Sequence, residues 1–422
     1  MKIGLLFLLA WLAAAEEPVH LTLHEAIEIA LRQNPSMVGA REMVNRAEAR
    51  VRQARAGYYP QVGFNGIAKE GLAGATNGLS LIGLPASPLY QNIADSVNVF
   101  QSVFDFGRTK HQVAFERDRR DAAEADYSAQ AAQVTLEVKR AYYGLLRAQR
   151  LRDVAREIAT AREATARQAQ ALYEGEIRSR VDLDLARANL ARAQLQVTSS
   201  ANELRTAATR LGLALGGDQD IEYILEPPDS ETPRLGPVEP LIEEALRARP
   251  ELQSLRFESK AAQERLEFVK SQKKPLLNVA FTGGYARFTS LLAKELMAGG
   301  AGFVLPLFTG GRIEGQQEEA QAELRAAASR EEALKQHIAA EVRTAWYAFE
   351  NASGALPVIQ VQAEYARNAA RLADERYREH LGSFVELSAA QSEVAEALAN
   401  QSIGLYAVRI AEGELLRAIG RN

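Results

Sequence analysis

The strongest constraint on this chain is that it is written twice. Ala30, Leu31 and Pro35 recur as Ala245, Leu246 and Pro250, and Pro60 recurs as Pro275, each 215 positions on. Further along, the offset becomes 204. Gly107 and Arg108 match Gly311 and Arg312; Tyr142 and Tyr143 match Trp346 and Tyr347; Tyr173, Val181 and Leu183 match Tyr377, Val385 and Leu387. Leu211 and Gly216 recur as Leu415 and Gly420. The change of 11 falls between Pro60 and Gly107, where a loop differs in length. A spacing that is constant except inside one loop marks a tandem duplication. The fold must therefore be assembled from two similar halves.

Each half changes its hydrophobic period once. In VNVFQSVFDFGR, Val97, Val99, Gln101 and Val103 alternate with Asn98, Phe100, Ser102 and Phe104. That alternation is a strand with two different environments. Past Asp105 the text becomes rich in Ala, Arg, Glu and Gln, with no Pro or Gly from Thr109 until Gly144. AGFVLPLFTGGR makes the same switch in the second half. The strand-to-helix joints are thus Phe106, Gly107 and Arg108, then Gly310, Gly311 and Arg312.

The order in each half is helix, helix, strand, loop, strand, long helix, turn, long helix. The first repeat covers 16–230, with helices in 22–57, strands about 60–70 and 92–104, and long helices 108–173 and 181–215. Thr22 and Glu25 form a capping box at its start. The stretch 71–88 reads as a loop and 216–240 as a linker. The second repeat covers 231–422, with helices in 238–272, strands about 275–288 and 300–308, and long helices 312–378 and 384–420. This is one intertwined protomer rather than a set of separable domains. Some 65 residues of helix extend roughly 100 Å at about 1.5 Å per residue, too long for a globular core. A coiled coil or a helical barrel accommodates such a helix. Val394, Leu398, Gln401, Leu405 and Val408 supply the matching heptad-like stripe, and Pro357 is predicted to kink its helix.

The composition excludes several functions. Fifty basic against 54 acidic residues give a net charge of −4, with no basic excess for a nucleic-acid partner. The absence of Cys removes disulfides, thiolate metal sites, a Cys nucleophile and a lipidated Cys. No P-loop, GxGxxG, HExxH or nucleophile-elbow motif occurs. His20, His24, His111, His337 and His380 are scattered and read as surface residues. No enzyme, cofactor or metal is expected.

Residues 1–15, MKIGLLFLLAWLAAA, form a secretory signal with a small-residue cleavage site. The remainder has no apolar run of membrane-spanning length, so entry into a membrane requires a β-barrel. Four strands cannot close a barrel, and an open sheet edge cannot face lipid. Three chains would pool twelve strands, an even number that closes. Asn65, Lys69, Asn92, Asn98 and Ser102 give the strands a polar face. Tyr58, Tyr59, Phe104, Phe106, Phe281, Tyr285, Phe303 and Phe308 sit near strand ends, as an interfacial aromatic girdle does.

Five segments carry a family resemblance: LTLHEAIEIALRQNP, YYPQVGF, VFDFGR, PLFTGGR and RYREHLGSFVELSAAQ. In this order the chain resembles the TolC-like outer-membrane efflux channels of Gram-negative bacteria, over essentially its whole mature length. The resemblance implies a mainly α protomer with a β membrane part. It implies a homotrimer with a twelve-stranded transmembrane β-barrel set in outer-membrane lipid and a periplasmic α-helical barrel. The trimer would be the passive exit duct of a tripartite efflux or secretion system, joined through a periplasmic adaptor to an inner-membrane pump.

By the same resemblance the two turns between long helices form the periplasmic tip, which meets the adaptor and gates the duct. The residues concerned are Gly175, Arg178, Ser179, Arg180, Val181, Asp182 and Leu183 in the first turn. In the second they are Arg378, Leu381, Gly382, Ser383, Val385 and Glu386. Two departures stand out: Glu176 and His380 occupy the family's frequent Gly positions, and Ala389 replaces a frequent Asp. Charges at Asp182, Asp184, Arg178, Arg180, Arg378 and Glu386 suggest inter-helix ion pairs, with Arg178 set against Glu386. A rival from another class, a secreted periplasmic coiled-coil scaffold, shares the signal and the helices. It leaves two amphipathic hairpins at equivalent repeat positions unexplained.

Overall fold

The structure is a computed structural model that describes residues 19–72, 89–217, 223–228, 235–287 and 295–421. The signal at 1–15, most of the loop at 71–88 and parts of the linker at 216–240 lie outside the described residues. The elements, in order, are β1 (Val19–Leu21), α1 (Leu23–Gln33), α2 (Pro35–Arg55), β2 (Gln61–Leu72), β3 (Leu89–Phe104), α3 (Arg108–Glu174) and α4 (Arg180–Leu215). They continue with β4 (Tyr223–Leu225), α5 (Val238–Ala248), α6 (Pro250–Ser271), β5 (Leu276–Arg287), β6 (Glu295–Val304), α7 (Arg312–Arg378) and α8 (Phe384–Ile419). Each of the paired long helices has the length of its counterpart: 67 residues in α3 and α7, 36 in α4 and α8. No helix among the described residues is long and apolar enough to cross a membrane.

The chain divides into two compact units. One comprises Met1–Ala40, Ser128–Arg249 and Gln336–Asn422. Here β1 and β4 pair in parallel, and the buried Tyr142 fastens them. Its hydroxyl accepts from Glu226 N–H at 3.0 Å and lies 3.0 and 2.9 Å from the Leu21 and Glu226 carbonyl oxygens. Burial pushes the Tyr142 phenol up to about 12. Its repeat counterpart, Trp346, donates instead to Gly236 O at 3.1 Å. Helix α1 opens with the Thr22/Glu25 capping box and buries Ala26 and Ala30. It ends at Asn34, whose Nδ2 donates to Ala214 O at 3.0 Å. At the matching place Arg249 is buried; it pairs with Glu341 at 2.5 Å, and Glu341 also pairs with Arg417. Helices α4 and α8 both stop at glycines in the left-handed region, Gly216 and Gly420.

Helix α8 buries more than one stripe. Tyr406, Val408, Ala411 and Leu415 are buried, as are Gly404 and Gly413. A Cβ on Gly404 would lie 3.1 Å from Ile359, and one on Gly413 3.4 Å from Lys139, so α8 packs closely on α7 and on α3. Pro357, expected to kink α7, lies inside that helix, which runs on to Arg378.

The other unit comprises Arg41–Tyr127 and Pro250–Lys335. Its four strands form one antiparallel sheet in the order β2-β3-β5-β6. Cross-strand partners share a face, so the register sorts the side chains. Val62, Phe64, Val97, Val99, Val279 and Phe281 fall on one face with Met297 and Phe303. Asn65, Ser96, Asn98, Asn278 and Thr282 fall on the other, where Thr282 donates to Asn98 Oδ1 at 2.8 Å. Lys69 and Asn92 are register partners as well. Strand β6 differs from the expected 300–308: it begins at Glu295 and ends at Val304. It stops short of Pro306, which has no N–H for the ladder. Residues 295–299, ahead of the expected start, pair with β5 through Glu295↔Tyr285, Met297↔Gly283 and Gly299↔Phe281. In this unit His111 is not a free surface residue, since its Nδ1 lies 2.7 Å from Glu264 Oε2.

Candidate functional site

Two places carry the duplication into chemistry: the joints where strands become helices, and the turns where long helices reverse. At the first joint β3 bulges between Ser102 and Phe104, so that Phe104 pairs with Leu277. Strict alternation puts Phe104 with Asn98 and Ser102. The bulge moves it to the apolar face with Phe303, because the extra residue shifts the side-chain parity. Phe106 then packs edge-on against Phe104 at 4.6 Å.

The chain turns through two consecutive residues with positive φ at each joint: Phe106 (53°) and Gly107 (89°), then Gly310 (61°) and Gly311 (82°). The hydrogen bonds repeat as well. Arg108 N–H donates to Asp105 O at 3.1 Å and Arg312 N–H to Thr309 O at 3.2 Å; His111 N–H donates to Gly107 O and Gly315 N–H to Gly311 O, both at 2.9 Å. The first joint places a phenylalanine where the second has glycine, a conformation that costs an L-residue roughly 1–2 kcal/mol. Asp105 offsets it by accepting from Gly107 N–H at 3.0 Å and Thr109 N–H at 2.7 Å. Burial acts to raise the Asp105 carboxyl, but the bonds from Thr109 and Gly107 outweigh it and hold the group below its ordinary value.

The tip turns also share one backbone. Helix α3 ends with Ile177 N–H donating to Leu172 O at 2.9 Å and Glu176 N–H to Tyr173 O at 3.0 Å. Helix α7 ends with Leu381 N–H donating to Arg376 O at 2.8 Å and His380 N–H to Tyr377 O at 3.3 Å. This is the Schellman pattern, which demands a left-handed residue and usually takes glycine. Glu176 (φ 58°) and His380 (φ 63°) occupy those places. Ser179 and Ser383 then cap the next helices, accepting from Asp182 N–H at 3.3 Å and Glu386 N–H at 3.1 Å.

The side chains at the two tips diverge. Tyr377 is fully buried in a cluster with Ala166, Ala169, Ala186, Phe384 and Leu387. Burial and the Asp182 charge push its phenol up, and its hydroxyl has no hydrogen-bond partner among the described residues. Tyr173, the counterpart, is 38% exposed. Leu183 and Leu387 are both buried, while Val181, Val385 and Leu381 are exposed. Arg178 reaches from the first turn to the second. Its guanidinium lies 5.2 Å from the centre of the Tyr377 ring and donates to Gly382 O at 2.8 Å.

The expected pairing of Arg178 with Glu386 does not form. Glu386 pairs with Arg376 at 3.3 Å. Arg180 pairs with Asp184 at 3.4 Å and Arg378 with Asp374 at 2.7 Å, each within one helix. Gly175 closes the end of α3, its N–H donating to Ala171 O at 3.0 Å. Arg376, Tyr377 and Phe384 are the residues that sequence reasoning did not single out, although the Tyr173/Tyr377 match pointed at one of them. No group of carboxylates and histidines among the described residues is arranged to hold a metal ion.

Known proteins share this architecture. VceC, an outer membrane protein of Vibrio cholerae, superposes with a TM-score of 0.82 at 20% identity, covering 95% of this chain and 96% of that one. The CmeC outer membrane channel of Campylobacter jejuni gives 0.80 at 16% identity, with 94% and 85% covered. The open-state MtrE outer membrane channel of Neisseria gonorrhoeae gives 0.78 at 17% identity, with 94% and 89% covered. No curated relative matches the chain in sequence. Likenesses this low in identity establish the fold; the family rests on a sequence profile described as outer membrane efflux protein, which matches residues 26–217 and 241–421. With both repeats matched from α1 to the end of α8, the chain belongs to the outer membrane efflux protein family.

Proposed function

We propose that this chain is the outer-membrane exit duct of an efflux or secretion system, working as a homotrimer. The observation that carries this is the sheet. Its apolar face bears Val62, Phe64, Phe281 and Phe303, all exposed, and its outer strands β2 and β6 each have one edge without a partner strand among the described residues. Such a face suits lipid, and such edges must be closed by other copies. Three copies supply twelve strands. The opposite, polar face with Asn98 and Thr282 would line the water-filled lumen.

Energy for transport would come from partners, a periplasmic adaptor and an inner-membrane pump, since no nucleotide-binding motif occurs in the sequence. The tip turns are the surface offered to them, with Val181, Leu381 and Val385 exposed. Arg178 acts as the latch between the two turns. A charge-assisted bond of this kind contributes about 1.5–3 kcal/mol, and the cation–π contact about 0.5–2 kcal/mol. Both are lost together if the second turn swings away. Arg178→Ser should therefore raise single-channel conductance in planar bilayers, whereas Glu386→Ala, which breaks only the contact with Arg376, should change it less. Equal conductance in wild type and Arg178→Ser would remove the latch. Recovery of the protein wholly in the soluble periplasmic fraction would remove the duct and favour the scaffold.

A further inference from the structure

A cavity of ≈ 390 Å³ lies between α3, α4 and α8 and is lined by no residue of the tip turns. Its wall is apolar along Leu151, Val154, Ile158 and Ala193. One end carries two arginines, Arg162 and Arg192. Arg162 is only 7% exposed, yet it forms no ion pair with a carboxylate among the described residues. Its Nη1 donates to Gln391 Oε1 at 2.7 Å and its Nη2 to Ser392 Oγ at 3.0 Å. Gln391 is itself held by Thr165 Oγ1 at 2.9 Å. A guanidinium has five N–H donors, and these neutral partners use two. Buried cations are ordinarily paired, because desolvating a lone charge is expensive. Burial and the neighbouring Arg192 both disfavour the charged form of Arg162. Arg192 lines the same cavity and forms no ion pair among the described residues. Glu203, the acidic residue of the lining, is eleven residues further along α4, about 16 Å from Arg192.

We propose that this cavity binds an amphipathic organic anion, its carboxylate or sulfonate head on Arg162 and Arg192 and its hydrocarbon body along Val154, Ile158 and Ala193. The volume lies in the range that takes a small organic ligand. The apolar wall gains by covering a hydrocarbon, and two arginines supply the forked donors a carboxylate accepts. Glu203 at the far end disfavours a second anionic group there. The site stands whether or not the chain conducts.

The test uses the full chain in neutral maltoside detergent, titrated calorimetrically with octanoate, octan-1-ol and octylammonium. Octanoate should bind saturably and at least tenfold more tightly than the other two. Arg192→Gln should weaken it at least fivefold, while Arg192→Lys stays within about threefold. Arg192 is exposed, so this variant should fold, whereas Arg162→Gln alters a residue buried in the helix packing. Octanol binding as tightly as octanoate, or Arg192→Gln binding as tightly as wild type, overturns the assignment. The chain has no cysteine of its own, so Ala395→Cys reports access cleanly. Labelling of that thiol by a water-soluble maleimide, slowed by octanoate, supports the site. A thiol that is never labelled in the assembled protein would mean that a second copy fills the cavity, and the proposal falls.

Discussion

At the first tip turn Tyr173 stands partly in solvent; at the second, 204 positions on, Tyr377 has no exposure at all. The backbones around them make the same bonds to the same positions. The joints show the same relation: one left-handed pair is Phe106 and Gly107, the other Gly310 and Gly311. The duplication has kept its backbone geometry and let its side chains diverge. Backbone identity is what a repeat needs to build one wall from two halves. Side-chain difference lets one turn act as a socket and the other as the arm that enters it.

The sharpest way to test that difference is at the tyrosines. Tyr377→Ala should cost about 3–5 kcal/mol, as large-to-small changes in a core do, and Tyr173→Ala about 0.5 kcal/mol, as at surfaces. Chemical denaturation of the two variants measures both. Tyr377→Phe should be near neutral, because the hydroxyl it removes has no partner among the described residues. Equal losses at both tyrosines would erase the asymmetry between the tips.

The joints come next in size. Gly107→Val and Gly311→Val each force a β-branched residue into the left-handed region, at a cost of order 1–3 kcal/mol. The space around Gly311 is open, so the penalty there is pure backbone strain. Assembly, read as trimer yield on native gels, should suffer more from either than from any single substitution in 73–88. Normal trimers with both glycines replaced would show that the joints need no left-handed turn.

Asp105 distinguishes the first joint from the second, where Thr309 takes its place. Asp105→Ala should destabilise the protein by about 1 kcal/mol, the usual worth of such a cap. The folded carboxyl titrates below its ordinary value. Its contribution is therefore complete above the unfolded value near 4, and is lost as pH falls through the lower folded value. Melting curves between about pH 3 and pH 7 should show wild type losing this advantage over Asp105→Ala at the acid end. A constant gap between the two across that range would contradict the assignment.

The smallest effect belongs to the residues in the Schellman positions. Glu176→Gly and His380→Gly each relieve a left-handed residue and should stabilise by about 0.5–1 kcal/mol, less than the full strain because glycine costs more to order. Thermal melts that fall instead would show that these side chains earn their place by contacts.

The sequence carried the element order because each signal was local or periodic. Alternation marked the strands, the capping box marked α1, and the constant offset exposed the repeat. Strand ends were harder. Strand β6 carries glycines at 299, 300 and 302, which leave a broken side-chain pattern, and pairing with β5 is what carries the strand back to Glu295. The bulge that turns Phe104 over depends on where Leu277 sits, and no spacing within β3 records it. The contacts of Arg178 were hidden for a related reason. Charge complementarity pointed Arg178 toward Glu386, but its partners are a backbone carbonyl and an aromatic face contributed by the other repeat. Arg162 was invisible among many arginines until α8 closed over it.

The equal lengths of α3 and α7, and of α4 and α8, restrict how such a chain can evolve. One inserted residue turns everything beyond it on a helix by about 100°. In α3 that would swing Ala166 and Ala169 out of the cluster they share with Tyr377 and Leu387. A single insertion or deletion in a long helix is thus a damaging mutation until its partner changes to match, whereas the hairpin loops have drifted by 11 residues between the repeats. Lineages of this chain should therefore vary by point substitution in their helices and by length in their loops.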